Sequence, residues 1–362
     1  MNQLIKSLIL PAILSQILMF AGLGYSQPCV EAELIKLPGE WKAGMKGSAT
    51  NVSKESLAKE MQTVQSIFEI FKAGYNPMGC RVHYSGVYGF NTAYGKNWIA
   101  NPYGLSVFFL DYACEPDNSG KHYVNISTST SLHVSINMFQ MERFDVFAAE
   151  LPEDDETGYI SIRGLPEYKD GYYYYVTQAD YNSDIKTHTY IICYNGKLPF
   201  KHVTQKEYLQ LTIADYKKKI QEINDRENAT KNRGDQLTPE DIEFYKSQKE
   251  YYGKPIRLIE EMLQTKSVEE LESPAAIDHP GDLQPFSGLV ELETPDANIL
   301  IKPNPDYFNK SLPKHAPQLF SINLKVQHGH PVFEDVFEKI SKAIDVKKFK
   351  AMLGETFEPK KP

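Results

Sequence analysis

The stretch Lys169-Asp170-Gly171-Tyr172-Tyr173-Tyr174-Tyr175-Val176 decides how the first two hundred residues are read. Asp-Gly suits a tight turn whose two central residues both take positive φ, the turn that joins antiparallel strands. Four tyrosines and a valine behind it form a run of residues that favour strands. Strand geometry then divides the run between two faces. Tyr172 and Tyr174 point one way with Val176, Tyr173 and Tyr175 the other with Thr177. The Val176 face is expected to pack under a helix such as 53–73. Tyr173 and Tyr175 are left as a candidate platform for stacking a ligand, competing with ordinary cross-strand packing.

Strands of the same kind surround this hairpin. Residues 81–88, 105–114, 122–129 and 132–137 precede it, and 159–163 and 187–194 flank it, with turn-rich pieces such as 115–121 between. Consecutive strands with short connections describe an antiparallel meander rather than alternating strand and crossover helix. Before the strands, Ser53 can cap a helix over 53–73, in which Leu57, Met61, Val64, Phe68 and Phe71 mark an apolar stripe.

Composition changes at residue 204. Thr204-Gln205-Lys206-Glu207 reads as a capping box, and Val203 and Tyr208 as its hydrophobic staple. A helix to about 228 follows, then a polar linker, then a second helix opened by Thr238-Pro239 with Leu237 and Ile242 as staple. Gly253-Lys254-Pro255 is read as a break before a third helical stretch around 257–264. Pro- and Gly-rich sequence spans 273–287. Beyond it lie strands at 298–302 and 319–326, a helix after His330-Pro331, and a short helix capped by Asp345. The expected class is α+β: an antiparallel β-sheet backed by a helix, with an inserted helical hairpin and a C-terminal strand-helix region that packs back on the sheet. The boundaries are 1–26 for a leader, 27–203 for the sheet domain, 204–272 for the hairpin, 273–297 for a linker or long loop, and 298–362 for the last region.

The leader follows from the first residues. Lys6 precedes an apolar run from about Leu8 to Leu23, and Gly24 and Ser26 fit a small-x-small cleavage site before Gln27. That order describes a secretory signal peptide, with Pro11 and Gln16 leaving the run short of a membrane span. Removing Lys6 takes the net charge from −8 to −9. Mild acidity argues against nucleic acid as partner, because phosphate binding needs a basic footprint. Lys217-Lys218-Lys219 reads as a solvated helix face. An exported protein is expected, periplasmic or extracellular, with no integral membrane segment after cleavage.

An oxidising compartment allows the four cysteines, Cys29, Cys80, Cys114 and Cys193, two disulfides in three connectivities. Cys80 with Cys114, both in the first β-rich region, is the expected pair. Among candidate ligands, His328-Gly329-His330 is the strongest motif. In extended chain its two imidazoles face the same way and can chelate zinc or copper. No third ligand lies at a familiar spacing, and the same residues also read as a turn and helix start. Glu153-Asp154-Asp155-Glu156 lacks the alternation and glycine of a calcium loop. The chain contains no G-x-S-x-G elbow, no phosphate loop and no H-E-x-x-H helix, and no motif implies a cofactor.

Two segments carry a resemblance. Asn195-Gly196-Lys197-Leu198-Pro199-Phe200 with Val203-Thr204-Gln205-Lys206-Glu207-Tyr208-Leu209 resembles a part of uncharacterised exported proteins of Bacteroidota. So does Pro305-Asp306-Tyr307-Phe308-Asn309-Lys310-Ser311-Leu312-Pro313-Lys314 with Pro317-Gln318. The resemblance runs from the middle of the chain to its end. It implies a Gram-negative envelope or secreted setting and transfers no activity or site residue. The reading that follows is a non-catalytic binding or structural protein of the bacterial envelope, with an envelope protein or a glycan as partner. The competing class is an exported hydrolase whose residues meet only in three dimensions.

Overall fold

The computed structural model describes residues 29–44, 47, 49, 52–88, 100–116, 120–138, 159–178, 183–194, 198–232, 237–278, 286–294 and 297–355. The leader expected over 1–26, the acidic run 153–156 and the dipeptide Asn195-Gly196 lie outside them.

In chain order the elements are α1 (Glu31–Leu34), β1 (Glu40–Ala43), α2 (Lys54–Gly74), β2 (Cys80–Tyr88), β3 (Tyr103–Cys114), β4 (His122–Val124) and β5 (Ser131–Ile136). Next come β6 (Ile160–Arg163), β7 (Glu167–Lys169), β8 (Tyr172–Gln178), β9 (Ile185–Ile192), β10 (Phe200–His202), α3 (Gln205–Asn232), α4 (Pro239–Thr265) and α5 (Val268–Glu272). The chain closes with β11 (Ala276–Ile277), β12 (Asn298–Pro303), β13 (Phe320–Gln327), α6 (Pro331–Ala343) and α7 (Val346–Met352). The fold is α+β.

One sheet of nine strands runs β1-β2-β3-β5-β13-β9-β8-β7, with β4 paired to β3. Every pairing in it is antiparallel except that of β1 with β2. The sheet is two meanders, β2-β3-β5 and β7-β8-β9, joined by β13 between them. The C-terminal strand therefore does more than pack back on the sheet: it forms its middle. Phe320, Ile322, Leu324 and Val326 alternate toward the main core and are fully buried, as the period of two requires. A second sheet is built on β12, which pairs with β6 along one edge and with β10 and β11 along the other.

The Asp170-Gly171 hairpin forms as its sequence demands. Asp170 has φ +51° and Gly171 φ +91°, and Lys169 pairs with Tyr172 across the turn. The strand expected over 122–129 stops at Val124. Asn125 accepts from the Ser127 N–H through its side chain at 3.0 Å, and that Asx turn removes the ladder donor.

α2 is capped by Ser53, whose hydroxyl accepts from the Ser56 N–H at 3.1 Å. Its inward face is rotated from the expected stripe. Met61 is 50 % exposed, and Glu60, Thr63, Val64, Ile67, Phe68 and Phe71 are buried. α2, α6 and α7 cover one face of the main sheet around a single apolar core.

α3 and α4 form the helical hairpin. Val203 and Tyr208 are both buried, as a staple should be, but the Glu207 carboxylate pairs with Lys302 and leaves the Thr204 box half made. Thr238 and Asp241 make a complete box, whereas Ile242 is 52 % exposed and closes no staple. α4 runs unbroken through Gly253-Lys254-Pro255. An internal proline costs about 3 kcal/mol of helix stability. Here Pro255, Ile256 and Ile259 are the helix's buried residues, and burial in the hairpin's core offsets that loss.

The expected Cys80–Cys114 bond is not present. Cys29 and Cys114 form the disulfide, while Cys80 and Cys193 are free and buried. Register explains the difference. Cys80 lies opposite Asp111, so Cys114 sits three residues farther along β3, about 10 Å away. The segment before α1 brings Cys29 to that end of β3 instead.

Candidate functional site

β8, β9 and β13 are neighbours, and their register places Val176, His188 and Leu324 side by side. His188 shares the helix-covered face with Tyr190 and Ile192. Its ring lies 4.4 Å from that of Phe337 on α6, measured between centroids. His328 follows the last residue of β13, and its N–H donates to the Asp184 carbonyl at 2.8 Å. Gly329, with φ +83°, then turns the chain into α6. The carboxylate of Glu334, in the first turn of that helix, accepts from the Gly329 N–H at 2.9 Å and lies 3.1 Å from His328 Nδ1.

These parts form a chain of four polar groups. The Tyr174 hydroxyl is 2.6 Å from His188 Nδ1, and His188 Nε2 is 3.3 Å from His328 Nε2. Assigning the protons satisfies every contact: Tyr174 donates to His188, His188 donates to His328, and His328 donates to Glu334. Burial, then the neighbouring His328, pushes His188 down to about 4, so its imidazole is neutral at neutral pH. The Gly329 N–H first, and His328 second, hold the Glu334 carboxyl below the usual range. Burial raises Tyr174 to about 12.

The expected His328/His330 pair is not brought together. Two residues apart face the same way only in extended chain, and the positive φ of Gly329 breaks that geometry. His330 tilts against Phe333 with ring centroids 4.6 Å apart, and its Nε2 is 4.0 Å from Asp111. Among the described residues no three His, Cys, Asp or Glu side chains converge on one point as metal ligands would.

The tyrosine platform is covered. Tyr175 is only 7 % exposed, in a second core with Ile191, Cys193, Ile299 and Leu319, and half-buried Tyr173 packs on the same core. The residues of the second sheet lie over the face that a ligand would have used. Tyr173 instead tilts against Tyr168 at 4.9 Å, a cross-strand pair. Tyr172 and Tyr174 pack on the main core, and the helix covering their end of the sheet is α6 rather than α2. Val176 is 41 % exposed, beyond that cover.

Two features escaped the sequence reading. The first is Glu60, with none of its surface exposed. Its Oε1 accepts from Asn101 Nδ2 at 2.8 Å, and its Oε2 has no hydrogen-bond partner among the described residues. Burial outweighs the Asn101 bond and raises the carboxyl to about 7. The signal is the spacing 60, 64, 67, 71, which is as helical as the stripe 57, 61, 64, 68, 71.

The second is the outer face of the hairpin. Phe244, Tyr251 and Leu258 recur every seven residues on α4 and are 58 %, 36 % and 39 % exposed. Tyr251 and Leu258 flank a shallow cleft closed by Lys254, Pro255 and Phe286. Buried residues of α3 end at Tyr216 and those of α4 begin at Pro255, so the hairpin is embedded at its base only. With 28 residues, α3 is about 42 Å long.

No protein-family profile matches the chain, and no curated protein or solved structure matches it. No helix among the described residues is long and apolar enough to cross a membrane.

Proposed function

We propose that this is an exported, non-catalytic protein of the bacterial envelope that binds a protein partner through the outer face of its helical hairpin. The Phe244-Tyr251-Leu258 stripe carries the reading. Large apolar side chains at seven-residue spacing make a seam into which another helix fits, and a hairpin embedded at one end presents that seam away from the sheet. The Cys29–Cys114 bond supports an oxidising compartment, in keeping with the resemblance to exported proteins of Bacteroidota. A glycan is the weaker choice of partner, because the aromatic face meant for it is occupied by the second core.

The hydrolase alternative would draw on Glu60 or on the His188–His328 pair. Glu60 has no exposed surface, and the hydrogen bonds of the two imidazoles among the described residues go to Tyr174, Glu334 and each other, not to a serine or cysteine nucleophile. The test is site-specific photocrosslinking in the native envelope, with the photoreactive residue at 244 or 258 and at exposed Met61 as control. One discrete protein adduct from 244 and 258 is expected, abolished by Tyr251→Asp. Absence of an adduct, or the same adducts from position 61, refutes the proposal.

A further inference from the structure

We propose that His188 and His328 form a two-histidine site for a borderline divalent metal ion such as zinc, held between their facing Nε2 atoms. The reading is independent of the hairpin's role, since the site lies between β9, the end of β13 and α6. The two nitrogens are 3.3 Å apart. A tetrahedral zinc ion bonded at about 2.0–2.1 Å to two nitrogens sets them about 3.3–3.4 Å apart. The fold therefore already sets the separation, one ring coming from the middle of a strand and the other from the turn after its neighbour. The rings meet nearly end to end, with centroids 5.5 Å apart, so binding tilts each of them to aim its lone pair at an ion beside the line between the nitrogens.

The far sides of both rings are also prepared. A histidine that binds a metal donates its other N–H to a carboxylate, carbonyl or comparable acceptor, which fixes the tautomer and aims the ring. His328 has Glu334 for this at 3.1 Å, and His188 has the Tyr174 hydroxyl at 2.6 Å. Without metal, the proton between the rings sits on His188 Nε2 while Tyr174 donates to Nδ1. With metal, that proton moves to His188 Nδ1, and the hydroxyl turns from donor to acceptor. Both Nε2 lone pairs then face the ion, and no proton is gained or lost. A hydroxyl can serve both tautomers; an ionised carboxylate, which only accepts, could not. Phe337 closes one side of the pair, while the His328 side chain stays 23 % exposed, leaving positions on the ion for water or a donor atom from a partner.

The test uses the purified, disulfide-intact protein titrated with zinc alone by calorimetry, and with cobalt alone by visible absorption. One-to-one zinc binding is expected for wild type and His330→Gln, with tetrahedral cobalt bands. Binding should be lost in His188→Gln and in His328→Gln, and weakened about 10- to 100-fold in Glu334→Gln. Circular dichroism checks each fold, and His328, at the surface, serves should the buried His188 variant unfold. No binding by wild type, binding that survives His328→Gln, or equal loss in His330→Gln overturns the proposal.

Discussion

Replacing Glu60 with glutamine is expected to stabilise the protein above neutral pH and to change little in mild acid. Glu60 sits on the inward face of α2 with its carboxyl raised to about 7, against an ordinary value of 4.5. The folded state therefore binds a proton more tightly than the unfolded chain does. The stability linked to that proton is complete below about 4.5, falls as pH rises, and is lost above about 7. The difference, about 2.5 units at 1.36 kcal/mol each, makes the loss about 3 kcal/mol. Glutamine keeps the shape and carries no charge. Its oxygen can accept from Asn101 as Oε1 does at 2.8 Å, and its NH2 meets the same partnerless surroundings as a protonated Oε2.

Urea unfolding of both proteins at pH 5 and pH 8 measures the effect. Trp41 is a suitable reporter, since its ring packs edge-on to Phe68 and Tyr75 in the core that α2 closes. The two midpoints should be close at pH 5, with the variant ahead by about 3 kcal/mol at pH 8. Other titrating groups bend both curves alike, so the gap between them isolates Glu60. A gap that is the same at both pH values, or a variant less stable than wild type at pH 8, would refute the reasoning.

Cys29→Ser should lower stability by about 2–5 kcal/mol, because the bond to Cys114 closes a separation of 85 residues in the unfolded chain. Alkylation followed by mass spectrometry should then show two reactive thiols in the unfolded wild type, Cys80 and Cys193. Neither should react in the folded protein, where burial pushes both up to about 11; modification of Cys29 or Cys114 would contradict the pairing. Gly79→Ala should cost more than Gly164→Ala. Both glycines have positive φ, +69° and +77°, and each substitution carries strain of about 1–3 kcal/mol. Only at Gly79 would the new methyl lie 2.7 Å from Val332 and 2.8 Å from Ile35, whereas at Gly164 it meets nothing; equal losses would disprove the close approach.

What could be read from the chain follows the range of the forces involved. Asp170-Gly171 and Thr238-Pro239 act within four residues, and both local structures formed where the sequence placed them. The division of Tyr172–Tyr175 between two faces also held, since alternation along a strand is local. Which face is covered is not local: it depends on β12, more than a hundred residues away, bringing the second core over Tyr175. The same limit separates the two histidine pairings. Short spacing made His328 and His330 look like partners, yet a single positive φ at Gly329 parts them, while His188, 140 residues away, is carried to His328 by the pairing of β9 with β13. Glu60 marks the boundary between these cases. Its helical period was visible, but a carboxylate at an inward position reads as an error in the stripe until β3 and Asn101 are seen to enclose it. Residues that break a local rule at an inward position, as Glu60 and Pro255 do, are where the three-dimensional arrangement outweighs propensity. Of the two, only Pro255 has burial to offset its cost. Glu60 leaves an oxygen without a partner, which is why the pH experiment is expected to find a penalty there.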